Sequence, residues 1–186
     1  MLFVDLVKAY DEIEARSSRL EMTDILAGLL RTAEPADLRK IVYLTQGQLY
    51  PDFDPRKLGL ADKLLLRTLA MSSGMGEEKI REIWLKEGDP GLVAQTIFQT
   101  RRQKTLFSDQ LTVSRVYSNL EGIAEAEGSG SQDAKMKLLA DLLNDSSPSE
   151  AKFICRIVTG RMRLGVAGMT MIDALAAAFA TKEERD

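Results

Sequence analysis

Histidine is absent from this chain of 186 residues, and cysteine occurs once. No internal disulfide can form, and a metal site of the usual His/Cys zinc type is excluded. A single thiol fits a reducing compartment, and Cys155, on the apolar stripe of a helix, reads as core. Proline (5 residues), tryptophan (1) and aromatic residues in general (6%) are scarce. Leu, Ala, Met, Glu and Lys are plentiful instead, a balance that favours helix. No apolar run approaches the roughly 20 residues of a membrane span. Asp5 and Lys8 interrupt any secretory leader. A large charge imbalance is missing too, since 25 basic against 28 acidic residues leave a net charge of −3. Duplex-binding proteins usually carry a basic excess, so only a local basic patch could serve nucleic acid. No Gly-Lys-Ser/Thr phosphate loop occurs.

What is there is 45% apolar, ordinary for a globular fold and long enough for a real core. The periodicity predicts an all-α, compact multi-helix domain. Phe3, Leu6, Val7, Tyr10 and Ile13 recur at helical spacing over 3–16, with Asp5, Asp11, Glu12 and Glu14 on the other face, expected to point away from any phosphate. Ser18, with Glu21 three residues on, has the capping-box pattern. It opens a helix with Met22, Ile25, Leu26, Leu29 and Leu30 as its stripe. Further helices are expected over 36–45, 61–71, 77–86, 92–97, 113–126 and 132–144, the last capped by Ser131. Pro51 and Pro55 make 47–58 an irregular loop. Trp84 reads as a core anchor rather than a base-stacking platform.

The stretch from Pro148 to Ala176 organises the rest. Ser149 is the expected N-cap of a helix whose stripe is Ala151, Ile154, Cys155 and Val158, and Gly160 ends it. Thr170 is the expected cap of the next helix, which carries Ile172, Leu175 and Phe179. Arg161 and Arg163 therefore lie in a turn bounded by Gly160 and Gly165, beside a helix N-terminus. Backbone N–H groups, the helix dipole and guanidinium forks all favour a phosphate there.

That stretch repeats. Pro35 to Gly47 has the same proline-to-glycine spacing as Pro148 to Gly160, and Lys57-Leu58-Gly59-Leu60-Ala61 echoes Arg163-Leu164-Gly165-Val166-Ala167. The first copy carries a short insertion near Tyr50 to Arg56. A spacing of about 110 residues is too long for a solenoid. It implies two helical halves, about 1–98 and 108–182, related by a pseudo-two-fold axis, with a loop at 99–107 between them. The antiparallel strands of duplex DNA also have a local two-fold. Two equivalent basic turns, facing one side and set apart, would suit the backbones flanking a groove.

Within the loop, Gln103, Lys104, Leu106 and Phe107 form a basic stretch ending in an apolar pair. It reads either as a solvated linker with a docking pair or as a short partner-binding peptide. Gly128, Ser129 and Ser131 form a flexible turn at a helix start, and Lys135 lies just inside that helix.

The whole chain resembles the N-terminal DNA-binding domain of archaeal and eukaryotic-type ATP-dependent DNA ligases. The resemblance is carried by Gly88-Asp-Pro-Gly-Leu-Val-Ala94, Ser147-Pro-Ser-Glu-Ala-Lys-Phe-Ile154, Gly160-Arg-Met-Arg-Leu-Gly165 with Thr170 to Leu175, and Tyr10 to Leu20. It implies an all-helical, monomeric, intracellular domain, cytoplasmic and nucleoid-associated if archaeal. Such a domain grips the minor groove of nicked duplex DNA in replication, repair and recombination. Adenylation and OB-fold domains would complete the enzyme and supply its ATP and Mg2+ chemistry. Ligases of this class adenylate the lysine of a Lys-x-Asp-Gly motif, and no lysine here is followed by x-Asp-Gly. The chain has no catalytic residue and no cofactor of its own. The end at Glu183-Glu-Arg-Asp186 reads as that of an excised domain. The expected phosphate-holding set is Lys57, Gly59, Gly128, Ser129, Ser131, Lys135, Gly160, Arg161, Arg163 and Gly165. Gln103 to Phe107 resembles the sliding-clamp motif of archaeal ligases, with Leu106 in place of an aromatic. The competing expectation is an all-helical protein-interaction scaffold without DNA binding, in which Arg161 and Arg163 pair with carboxylates.

Overall fold

A computed structural model describes residues 1–56, 58–100 and 109–180. The described residues form ten helices: α1 (Phe3–Glu14), α2 (Arg19–Thr32), α3 (Pro35–Thr45), α4 (Asp62–Ser73), α5 (Glu77–Glu87), α6 (Pro90–Thr100), α7 (Val113–Glu125), α8 (Ser131–Asp145), α9 (Pro148–Val158) and α10 (Gly168–Phe179). Among the described residues there is no named strand, only one isolated antiparallel bridge between Leu2 and Thr112. None of these helices is long and apolar enough to cross a membrane.

Local chemistry sets most of the boundaries. Ser18 accepts from the Glu21 amide, and Thr112 from the Arg115 amide. Gly74 and Gly88 end α4 and α5 in the left-handed conformation that glycine adopts without strain. Several expectations shift. The cap of α9 is Ser147, not Ser149. Its hydroxyl accepts from the Glu150 amide, and the Glu150 carboxylate accepts from the Ser147 amide, a reciprocal capping box. Ser149 instead bonds Asp11. Gly130, not Ser131, precedes α8, and α10 starts at Gly168 with Thr170 already buried inside it. The helix expected at 92–97 runs from Pro90 to Thr100, so Gln99 and Thr100 are helical.

The core is continuous through both halves. Tyr10 and Phe153 meet at its centre with ring centroids 5.1 Å apart. Every residue of α9 from Glu150 to Val158 is buried, including Cys155. Trp84 is partly buried against the core. The helix pairings recur with the copies exchanged: α1 packs on α9 and α3 on α7, α1 on α2 and α7 on α8, α2 on α10 and α4 on α8. At the junction of the halves, the Phe3 amide donates to the Leu111 carbonyl and the Val113 amide to the Met1 carbonyl. One contact between the halves has no counterpart among the described residues. α6 crosses α9 at Gly91, where a Cβ would lie 2.6 Å from the Lys152 carbonyl oxygen and 2.7 Å from Arg156 Cγ. Only glycine permits so close an approach.

Candidate nucleic-acid interface

The two repeated turns adjoin. The Leu60 amide donates to the Val158 carbonyl at 2.9 Å, joining the end of the first turn to the start of the second. A Cβ on Gly47 would lie 3.1 Å from Met162 Cβ. Beside the second turn lies an open cleft of about 450 Å³, lined by Thr45, Gln46, Gly160 and the segment from Met162 to Ala167. The second turn is built from left-handed residues: Gly160 (φ +67°), Arg163 (φ +52°) and Gly165 (φ +73°). The turns thus share one side but meet each other, rather than standing apart as the repeat led us to expect.

Both arginines of the second turn are paired. Arg161 reaches Asp62 at 3.1 Å with its side chain 42% exposed. Arg163 reaches Asp89 at 3.3 Å and is 58% exposed. Behind them lies a buried ionic layer. Asp89 accepts from Arg156 Nε (3.0 Å) and from the Leu92 amide (2.9 Å). Arg156 also donates to Glu14 at 2.7 Å, and Lys152 donates to Asp11 (2.9 Å) and to Glu14. The acidic face of α1 therefore covers α9 instead of facing solvent alone. Burial pushes the Glu14 carboxyl up, but hydrogen bonds from Lys152 and Arg156 outweigh it and hold the group below its ordinary value. The inner cations are committed to the fold, and the outer two are half in solvent.

Helix N-termini gather on the same side. Arg19, in the first turn of α2, bonds Asp173 of α10 at 2.5 Å, and Met22 Cε lies 4.0 Å from where a Gly165 Cβ would be. The starts of α2 and α10 are thereby neighbours. On the other copy, Arg56 bridges the loop before α4 to Glu125, at the end of α7, at 3.2 Å. That loop is braced: Arg56 donates to Asp54 through Nε (3.0 Å) and Nη2 (2.8 Å) and stacks 3.9 Å over the Tyr50 ring. Gly128, Ser129 and Gly130 follow, exposed, with Gly128 and Gly130 left-handed. Ser131 and Lys135 are half-buried. Around Gly59, Gly128 and Gly160 a Cβ would meet nothing within 4 Å.

So the structure brings Gly59, Gly160, Arg161, Arg163 and Gly165 together, while Gly128, Ser129, Ser131 and Lys135 stand at the start of α8, linked to the loop before α4 through the Arg56–Glu125 pair. Lys57 lies outside the described residues, as does the clamp-motif stretch Gln103, Lys104, Leu106 and Phe107. Sequence reasoning missed Asp62, Asp89 and Arg56, which partner or brace the turns. Asp89 did carry a signal, in the Gly-Asp-Pro-Gly run, without a role attached to it.

The described residues define an all-helical domain with a basic turn between α9 and α10. The family model described as "DNA ligase N terminus" matches residues 2–176, and the chain belongs to that family. It is 47% identical over 193 residues to DNA ligase 2 of Thermofilum pendens, covering 97% of this chain and 31% of the relative. It is 45% identical over 184 residues to the DNA ligase of Nitrosopumilus maritimus, covering 99% and 31%. It is 43% identical over 179 residues to DNA ligase 2 of Korarchaeum cryptofilum, covering 96% and 30%. The chain thus spans about a third of the length of these curated relatives.

Proposed function

We propose that this chain holds nicked duplex DNA for ligation, gripping the backbones beside the minor groove without reading sequence. The observation that carries the proposal is the meeting of the two repeated turns, with half-exposed Arg161 and Arg163 beside the N-termini of α2, α4 and α10. Family membership supports the role in ligation. Arg161 leaves Asp62 as a phosphate arrives, because a solvent-exposed ion pair contributes little; Arg163 leaves Asp89, which keeps Arg156 and the Leu92 amide as partners; and a phosphate accepts a guanidinium fork bidentately. Amide groups at helix starts add donors and favourable dipoles. The bare backbone at Gly59, Gly128 and Gly160 lets a sugar-phosphate chain come close. Backbone contacts position without specifying sequence, and nicks occur anywhere.

A local patch is enough for this despite the net charge of −3, since binding follows counterion release at the contacted phosphates. The pseudo-two-fold relation of the halves, supported by the exchanged helix pairings, matches the local two-fold of duplex. ATP and Mg2+ belong to the rest of a ligase, because this chain offers no Lys-x-Asp-Gly lysine. A sliding clamp is the proposed partner of Gln103 to Phe107, with the domain acting as a monomer.

The test is an anisotropy titration of nicked and unrelated duplexes across salt. With about four phosphates neutralised, log K falls against log salt with a slope of roughly −3 to −4, alike for every sequence. The protein-interaction scaffold is the second reading, favoured by the pairing of Arg161 and Arg163 with carboxylates. It requires no salt-dependent duplex affinity at all. For the clamp, deleting Leu106 and Phe107 together abolishes co-elution, and unchanged co-elution retires the motif.

A further inference from the structure

The corner where α4 packs on α8 is the counterpart of the corner where α10 packs on α2. With Gly59 aligned on Gly165, Leu65 and Thr68 of α4 fall on Met171 and Ala174 of α10, and all four are buried. With Pro35 aligned on Pro148, Leu26 and Leu30 of α2 fall on Leu139 and Leu143 of α8, again all buried. The inner sides of the two corners are therefore built alike.

Their outer sides are not. Lys63, Arg67 and Lys135 stand in the first corner where Met169, Asp173 and Met22 stand in the second. Lys63 and Arg67 are exposed, one turn apart on the face of α4 turned away from Leu65 and Thr68. Neither makes an ion pair or a side-chain hydrogen bond with another described residue. In the second corner, the counterpart of Arg67 is Asp173, held by Arg19 in the first turn of α2. The counterpart of Lys135 is Met22, whose Cε lies 4.0 Å from where a Gly165 Cβ would be. The same placements in the first corner set Arg67 beside the first turn of α8 and Lys135 beside Gly59. Lys63 follows Asp62, which is occupied by Arg161, and Arg81, across a groove from Lys63, is held by Glu77 at 3.7 Å. Unpaired cations thus run from the second basic turn along α4 to the start of α8, where Asp133 is the exposed carboxylate of the first turn.

We propose that Lys63 and Arg67 form a track for successive phosphodiesters of one DNA strand, beyond those met at the basic turns, so that the two backbones of the duplex are held unequally. The proposal rests on the duplex-binding reading above and deepens it. Residues four apart on a helix lie about 6 Å apart at Cβ, which lets two long side chains serve neighbouring phosphates. No ion pair has to break before either cation meets its phosphate. Met169 and Asp173 give the other backbone no cation at the equivalent positions.

The test is an anisotropy titration of a nicked duplex across salt with two double variants. Lys63→Met with Arg67→Ala lowers affinity about tenfold or more and reduces the salt slope by about 2, with Tm unchanged because both side chains stand in solvent. Lys8→Ala with Arg39→Ala removes the same charge from exposed positions on α1 and α3 and leaves the slope as in the unaltered chain. The proposal is overturned if the first pair keeps the slope and affinity of an unaltered chain that binds duplex. It is equally overturned if both pairs lower them alike, because bulk charge would then be responsible. An unaltered chain without salt-dependent duplex affinity removes the duplex-binding reading itself, and the track with it.

Discussion

Asp89 joins Arg156 to Arg163. One carboxylate oxygen takes Arg156 Nε at 3.0 Å and the other takes Arg163 Nη1 at 3.3 Å. Arg163 is the one non-glycine residue with positive φ among the described residues. A strained backbone of this kind costs on the order of 1 kcal/mol and persists where its surroundings hold it. Asp89 pairs with its guanidinium from a position buried under the turn. Arg163→Ala is expected to weaken duplex binding about tenfold and to reduce the salt slope by about 1. Asp89→Asn removes the charge that Arg163 must leave for a phosphate, so it tightens binding in the wild-type background and adds nothing once Arg163 is gone. Additive effects in that double-mutant cycle would show that the two side chains act separately.

Two glycines are expected to respond in opposite directions. Gly91→Ala forces a Cβ onto the Lys152 carbonyl and the Arg156 side chain. It costs about 2 kcal/mol or more and several degrees of Tm. Gly28 lies within α2, and a methyl group added there would meet nothing within 4 Å. Gly28→Ala therefore stabilises, by about 0.5–1 kcal/mol. Thermal melts of the two variants read both signs.

Acid should unfold the domain through its ion pairs. Glu14 and Asp141 are held below their ordinary values of 4.5 and 3.8; burial opposes this, and hydrogen bonds from Lys152 and Arg156, and from Arg115 and Asn119, prevail. A lowered folded-state value gives stability that is complete above the unfolded value and lost as pH falls towards the folded one. The urea midpoint is expected to be flat from about pH 7 to about pH 5 and to drop below about pH 4.5. A midpoint that stays level down to about pH 3 would mean that these pairs add nothing.

Cys155 should be silent in the native protein. Burial, and then the Asp89 charge, push its thiol well above the ordinary range, and the side chain is fully enclosed. A thiol reagent at about pH 8 labels the folded domain only at the rate of global opening, and labels it at once in denaturant. Fast native labelling would place the thiol at the surface.

Helix content was legible because the apolar periodicity is strong and local. Stripes such as Phe3, Leu6, Tyr10 and Ile13, or Ala151, Ile154 and Val158, are buried as spaced. Caps were less legible where two serines compete. Ser147 and Ser149 both precede a plausible start, and Pro148 at the first helical position decides for Ser147. The basic turns were visible as repeats. Their partners were not, since Asp62 with Arg161 and Asp89 with Arg163 are joined only by the fold, across 99 and 74 residues. Burial of Lys152 and Arg156 defied their residue type for the same reason: the carboxylates that permit it come from α1 and from the α5–α6 turn.

The exchanged pairings bear on how far either half could stand alone. α2 of the first copy finds its main neighbour in α10 of the second, and α8 of the second finds α4 of the first. Each half thus leans on the other for the cover of one of its helices, so the two are not finished beads on a thread. Either half cut free would leave a face of α2 or of α8 bare to water.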